Sequence, residues 1–180
     1  MISRLALGCL LTVVALPAAA SEQASIDALV ARYAKMHGVP ETLVHRVIQR
    51  ESGYNPRAAN RGNLGLMQIR HDTARGMGYR GQASGLLEAD TNLAYGVPYL
   101  ANAYLVAGGN PARAISLYSR GYYYEAKRKG LLGALRTATT TAAPAAEGPP
   151  AAAQPPAIAS WLASVFSPQA SAAQSMAADR

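Results

Sequence analysis

Glu51 closes an apolar helical stripe and is followed at once by Ser52. Val44, Val47 and Ile48 precede it at i−7, i−4 and i−3, so all four share one helix face. A carboxylate on that face leans toward the apolar interior, where desolvation favours the neutral form and raises its pKa. A carboxylic acid that holds its proton near neutral pH is the group needed to protonate a glycosidic oxygen. The plainer reading is an exposed glutamate at a surface helix end, and the helix pattern alone does not choose. Most glycosidases pair two carboxylates at a set separation. Between Ser52 and Asp90 the other carboxylates are Asp72 and Glu88, and no motif marks either as catalytic. A single acid then needs help from its own substrate.

Most apolar segments that would carry these residues have helical period. Ile26, Leu29, Val30 and Tyr33 form one face of a first helix ending near Gly38. Pro40 opens a second, which carries Leu43, Val44, Val47, Ile48 and Glu51 until Gly53, Asn55 and Pro56 stop it. A polar loop is predicted over 57–63 and a third helix over about 65–75. A fourth spans roughly Asp90 to Ala107, with Pro98 expected to kink or restart it. Asn110-Pro111 is a cap followed by proline at the first position of a fifth helix, which carries Tyr118 as far as Gly121. A last helix is predicted over 124–135. No segment alternates as a strand should, so the class is all-α, or mostly α.

The ends of the chain differ from this middle. Arg4, the apolar stretch Leu5–Leu16 and Ala18-Ala19-Ala20 read as a secretory signal over residues 1–20 with its cleavage site. The apolar run is too short to span a bilayer, so the expectation is export to the periplasm or secretion. Cys9 is the one cysteine, and cleavage after Ala20 removes it, leaving no disulfide. From residue 137 to 180 the chain is mostly Ala, Pro, Thr, Ser and Gln, the composition of a disordered tail. Trp161, Leu162 and Val165 are a short amphipathic patch within it. The folded unit is expected over 22–136 as a single domain. The formal charge of +7 suits an anionic surface, though charge alone selects none. Basic residues are dispersed apart from Lys127-Arg128-Lys129, so no nucleic-acid partner is expected. His37, His45 and His71 lack metal spacing, and no metal or cofactor is called for.

Three strings stand in order: Glu51-Ser52-Gly53-Tyr54-Asn55-Pro56; Gly65-Leu66-Met67-Gln68-Ile69 with Thr73-Ala74; and Asn92, Tyr99-Leu100 and Ala114 to Gly121 with Tyr118. Together they resemble the soluble lytic transglycosylase domain, a relative of goose-type lysozyme that cuts peptidoglycan. The resemblance covers nearly all of the folded unit. It implies a lysozyme-like, mostly α fold and peptidoglycan glycan strands as the partner. It also implies cleavage between N-acetylmuramic acid and N-acetylglucosamine with a 1,6-anhydro product. By the same resemblance Glu51 is the catalytic acid and Ser52 orients the acid or the substrate. Gly65, Leu66, Met67 and Gln68 line the glycan cleft, and Tyr118 faces the acid. Read from the residues alone, Met67 serves equally as core, Gln68 as a surface amide, and Tyr118 as helix packing. Tyr122, Tyr123 and Tyr124 either stack on sugars or pack the last helix.

Two departures stand out. Ser119 replaces the Asn usual after the tyrosine, which puts the sugar contacts there in doubt, and Arg120 brings a charge near the cleft. The small size is like that of compact enzymes serving an envelope-spanning assembly. The scarcity of carboxylates favours transglycosylation over hydrolysis. The rivals are a hydrolytic muramidase of the same fold and a non-catalytic glycan-binding or assembly protein.

Overall fold

The computed structural model describes residues 18–138. Helical periodicity becomes α1 (Ala18–His37), α2 (Glu41–Glu51), α3 (His71–Gly76), α4 (Ala89–Val106), α5 (Pro111–Arg120) and α6 (Tyr123–Arg128). The expected cleavage site lies in the first turn of α1. The remainder of the expected signal, and the expected tail from residue 139 onward, fall outside the described residues.

α4 is the central element. Leu93, Val97, Leu100 and Ala103 are wholly buried, and the helix packs against both α1 and α5. Pro98 lies inside it without ending it. Gly96 is a packing position: a Cβ there would meet Met67 Sδ at 2.6 Å, so the missing side chain admits Met67 to the core. α1 packs in turn on α2, whose Leu43, Val44, Val47 and Ile48 are buried. The stripe read from the sequence thus points where the period requires. α5 begins as expected, with Pro111 in its first turn and the Asn110 side chain accepting from the Arg113 amide at 3.0 Å.

Three expectations are corrected. The 57–70 region holds a small antiparallel sheet: β1 (Ala59–Asn60), β2 (Asn63–Leu64) and β3 (Ile69–Arg70), in that order. Two-residue strands are too short to show alternation. Ala59 pairs with Leu64 and Asn60 with Asn63, across a turn in which Arg61 and Gly62 have φ of 50° and 81°. Two successive positive φ values are the turn geometry that matches strand twist. The helix predicted over 65–75 starts only at His71, because Gly65 and Gln68 take φ of 71° and 46°, outside helical space. The last helix ends at Arg128, Gly130 follows with φ 68°, and a single 3₁₀ turn spans Leu132–Ala134.

Beyond it the chain stays attached. Asn102 donates to the Arg136 carbonyl at 2.8 Å and accepts from its amide at 3.0 Å. The Ala138 amide bonds the Met77 carbonyl at 3.0 Å.

Candidate active site

Glu51 is the last residue of α2, and α5 runs to its own end at Arg120 beside it. Between the two helix ends and the small sheet lies a pocket of about 320 Å³, lined by Glu51, Asn63, Gln68, Tyr99, Tyr118 and Ser119, with Arg70 and Arg120 at its margin. Glu51 is the only carboxylate among those lining residues. Its side chain is 23% exposed, open enough to meet a substrate and sheltered enough to lose hydration. Burial pushes its pKa above the ordinary glutamate range, opposed by the Arg50 charge and by a hydrogen bond from Ser119. The C-terminal end of a helix is the negative end of its dipole, which adds to the bias toward the neutral acid.

Ser52 fixes the end of α2. Its hydroxyl donates to the Leu66 carbonyl at 2.8 Å, joining the helix that carries the acid to the 65–68 turn. That turn is held from behind by Asn92, which is wholly buried. The Asn92 amide oxygen accepts from the Met67 N–H, and its NH₂ donates to the Leu64 and Leu86 carbonyls, each at 2.8 Å. Gly65 sits so close to this amide that a Cβ would run into Asn92 and the Leu86 carbonyl.

The structure therefore separates the residues expected to line the cleft. Gln68 and Tyr118 reach the pocket. Leu66 and Met67 do not: both are 0% exposed, because apolar side chains at those turn positions complete the core against α4. Gly65 is likewise a close-packing position. Gln68 reaches the pocket with its NH₂ already donating to the Ala58 and Gly65 carbonyls, both at 3.0 Å, so only its carbonyl oxygen is left for a ligand. Tyr118 is nearly buried, and its hydroxyl donates to the Met67 carbonyl at 2.7 Å. Its proton is thus committed to the turn, while its oxygen can still accept. Burial first, then the nearby Glu51 charge, keeps this phenol neutral. Tyr99 packs edge-on against Tyr118, with ring centres 5.3 Å apart. Tyr122 is fully buried against Tyr99, and Tyr124 is exposed. None of Tyr122, Tyr123 and Tyr124 lines the pocket.

Sequence reasoning missed Asn63 and the margin cation Arg70, and it named Thr73 in a motif without a role. Asn63 comes from a strand too short to be read, and only the turn geometry brings it opposite Glu51. Ser119 entered as a departure of uncertain effect, and the structure gives its hydroxyl a contact with the acid itself.

A sheltered acid at a helix end, a polar turn and two tyrosines thus share one pocket on a mostly α domain. Residues 28–137 match the Transglycosylase SLT domain, and the chain belongs to that family. Its members are lytic transglycosylases, glycan lyases acting on peptidoglycan. No solved structure matches the chain.

Proposed function

We propose that the chain is an exported lytic transglycosylase that cuts the β-1,4 bond from N-acetylmuramic acid to N-acetylglucosamine and leaves a 1,6-anhydro end. Glu51 gives its proton to the glycosidic oxygen as the bond to the muramic C1 breaks. The muramic N-acetyl oxygen stabilises the cationic carbon. Glu51, now a carboxylate, takes the proton of the C6 hydroxyl, whose oxygen closes on C1 and returns the acid to its starting form. No water enters the product.

The observation that carries this reading is a lone, partly desolvated carboxyl in a pocket with no second carboxylate among its lining residues. A single group must then act twice, as acid and as base. Ser52, Gly65, Leu66 and Met67 act behind it by fixing the turn, whereas the Gln68 carbonyl and the Tyr118 oxygen meet the sugar. Export to the periplasm or outside is supported by Arg4, the apolar run and the alanine triplet, and no helix among the described residues is long and apolar enough to cross a membrane. An envelope-spanning assembly is the setting in which a small wall-opening enzyme of this kind would serve.

Glu51→Gln tests the assignment. The amide keeps the size of the side chain but has no acidic proton. The variant should fold and lose at least about a hundredfold in turnover of purified peptidoglycan. Wild-type turnover by a folded Glu51→Gln protein would remove Glu51 from the mechanism.

A further inference from the structure

A second pocket, of about 630 Å³, opens between α2 and α5 on the far side of Arg50 from the acid. Arg46, Gln49 and Arg50 line one wall, and Tyr54 and Ile115 supply apolar surface. It adjoins the Glu51 pocket directly. Arg50 Nε stands 3.9 Å from the Glu51 carboxylate, and Ser119 of the first pocket follows Ile115 of the second by one turn of α5.

Its charge has one sign. No carboxylate lines it, and the Arg46 and Gln49 side chains make no hydrogen bond or ion pair among the described residues. Arg50 has only the distant contact with Glu51. Outside the lining, Glu51 stands beside Arg50 and Asp27 faces His45 at 4.0 Å, and the His45 ring is bonded to the Tyr54 hydroxyl at 2.6 Å. Two guanidinium groups one helical turn apart, with a free amide between them and an apolar floor, fit a short chain that carries carboxylates and small apolar side chains.

We propose that this pocket binds the acidic peptide stem of the peptidoglycan strand while its sugar lies against Glu51. The inference rests on the proposed function. In the intact strand the lactyl carboxyl of each muramic acid is tied up in the amide that carries the stem, so the free anionic groups sit on the stems, which hang from the lactyl ether of muramic acid, the sugar whose bond is cut. A stem leaving that sugar beside Glu51 meets Arg50 first and Arg46 one turn further on. An anionic wall phosphate would share the charge but not the apolar floor.

The test compares glycan strands that bear stems with the same strands stripped by an amidase, which keep only the lactyl carboxylate of each muramic acid and lose the carboxylates and apolar side chains of the stem. Wild type should prefer stem-bearing strands. In Arg46→Gln the ratio of kcat/KM on the two substrates should fall about tenfold, through KM, and Arg46→Lys should restore part of it. An unmoved ratio would overturn the proposal. A second readout needs no turnover: ¹⁵N spectra of the protein titrated with a free acidic stem peptide, and separately with inorganic phosphate. Shifts at the Arg46 and Gln49 side chains with peptide, abolished in Arg46→Gln, support the site. No shift with peptide, or equal shifts with phosphate at the same concentration, would refute it. If wild type cut neither strand yet bound the peptide, the proposed activity would fall and the binding site would stand.

Discussion

Glu51 gains its properties from its place at the end of α2, and the consequence is a pH dependence with a definite sign. Burial raises its pKa, so the acid form persists above the ordinary glutamate range, and turnover should fall as pH rises through the raised value. The Ser119 hydroxyl opposes that rise. Ser119→Ala should therefore move the alkaline limb of the rate profile to higher pH, which a kcat/KM profile measures directly. Stability follows the same linkage. A carboxyl with a raised folded pKa contributes fully below its unfolded value and loses that contribution as pH climbs through the folded one. Glu51→Gln should then match wild type in acid and exceed it in thermal midpoint at neutral pH. Tyr118 makes a different prediction. Its hydroxyl donates to the Met67 carbonyl, so Tyr118→Phe leaves a buried acceptor unpaired. Denaturant unfolding should show a loss of about 1–3 kcal/mol, where a purely packing tyrosine would lose almost nothing.

The elements were legible in the sequence to different degrees, for physical reasons. α2, α4 and α5 carry long apolar periods, α5 also carries an explicit cap at Asn110, and their residues fall on the expected faces. The 57–70 segment was misread because two-residue strands leave no period, and because turn chemistry at Arg61, Gly65 and Gln68 overrides helix preference. Glu51, Gln68 and Tyr118 were located as pocket residues from their motifs. The interior roles of Gly65 and Leu66 were hidden, and Met67 stood open between core and cleft, since a motif records identity and not the direction of a side chain. Asn92 shows what holds this region: one buried amide satisfies three main-chain groups of the turn and its neighbours. Asn92→Ala should cost about 3 kcal/mol or more and slow turnover, because the turn facing Glu51 loses its support. α6 depends on another polar tie, Glu125 with Arg113, Arg128 and Lys129. Burial pushes the Glu125 carboxyl up, but these cations outweigh it and hold it below the usual range. Its contribution is present above the unfolded pKa and lost as pH falls through the folded one. Glu125→Gln should flatten the acid limb of a stability profile.

Across the molecule, a chain of formal charge +7 acts on a wall whose stems are anionic. Attraction between exposed charges is screened over about 8–10 Å at physiological salt. Retention on insoluble wall should therefore weaken with ionic strength, as a sedimentation assay at rising salt would show. The chemistry at Glu51 depends on contact distances and should respond much less. The fold brings the ends of α2 and α5 together at a single sheltered carboxyl. The central claim is that this one group serves as acid and then as base without water. Mass spectrometry of the muropeptides released from purified peptidoglycan tests it most directly. The account predicts products ending in 1,6-anhydro muramic acid, each lighter by one water than the hydrolysed equivalent, and their absence with Glu51→Gln. Products ending in free reducing sugars would contradict it and identify a hydrolytic muramidase.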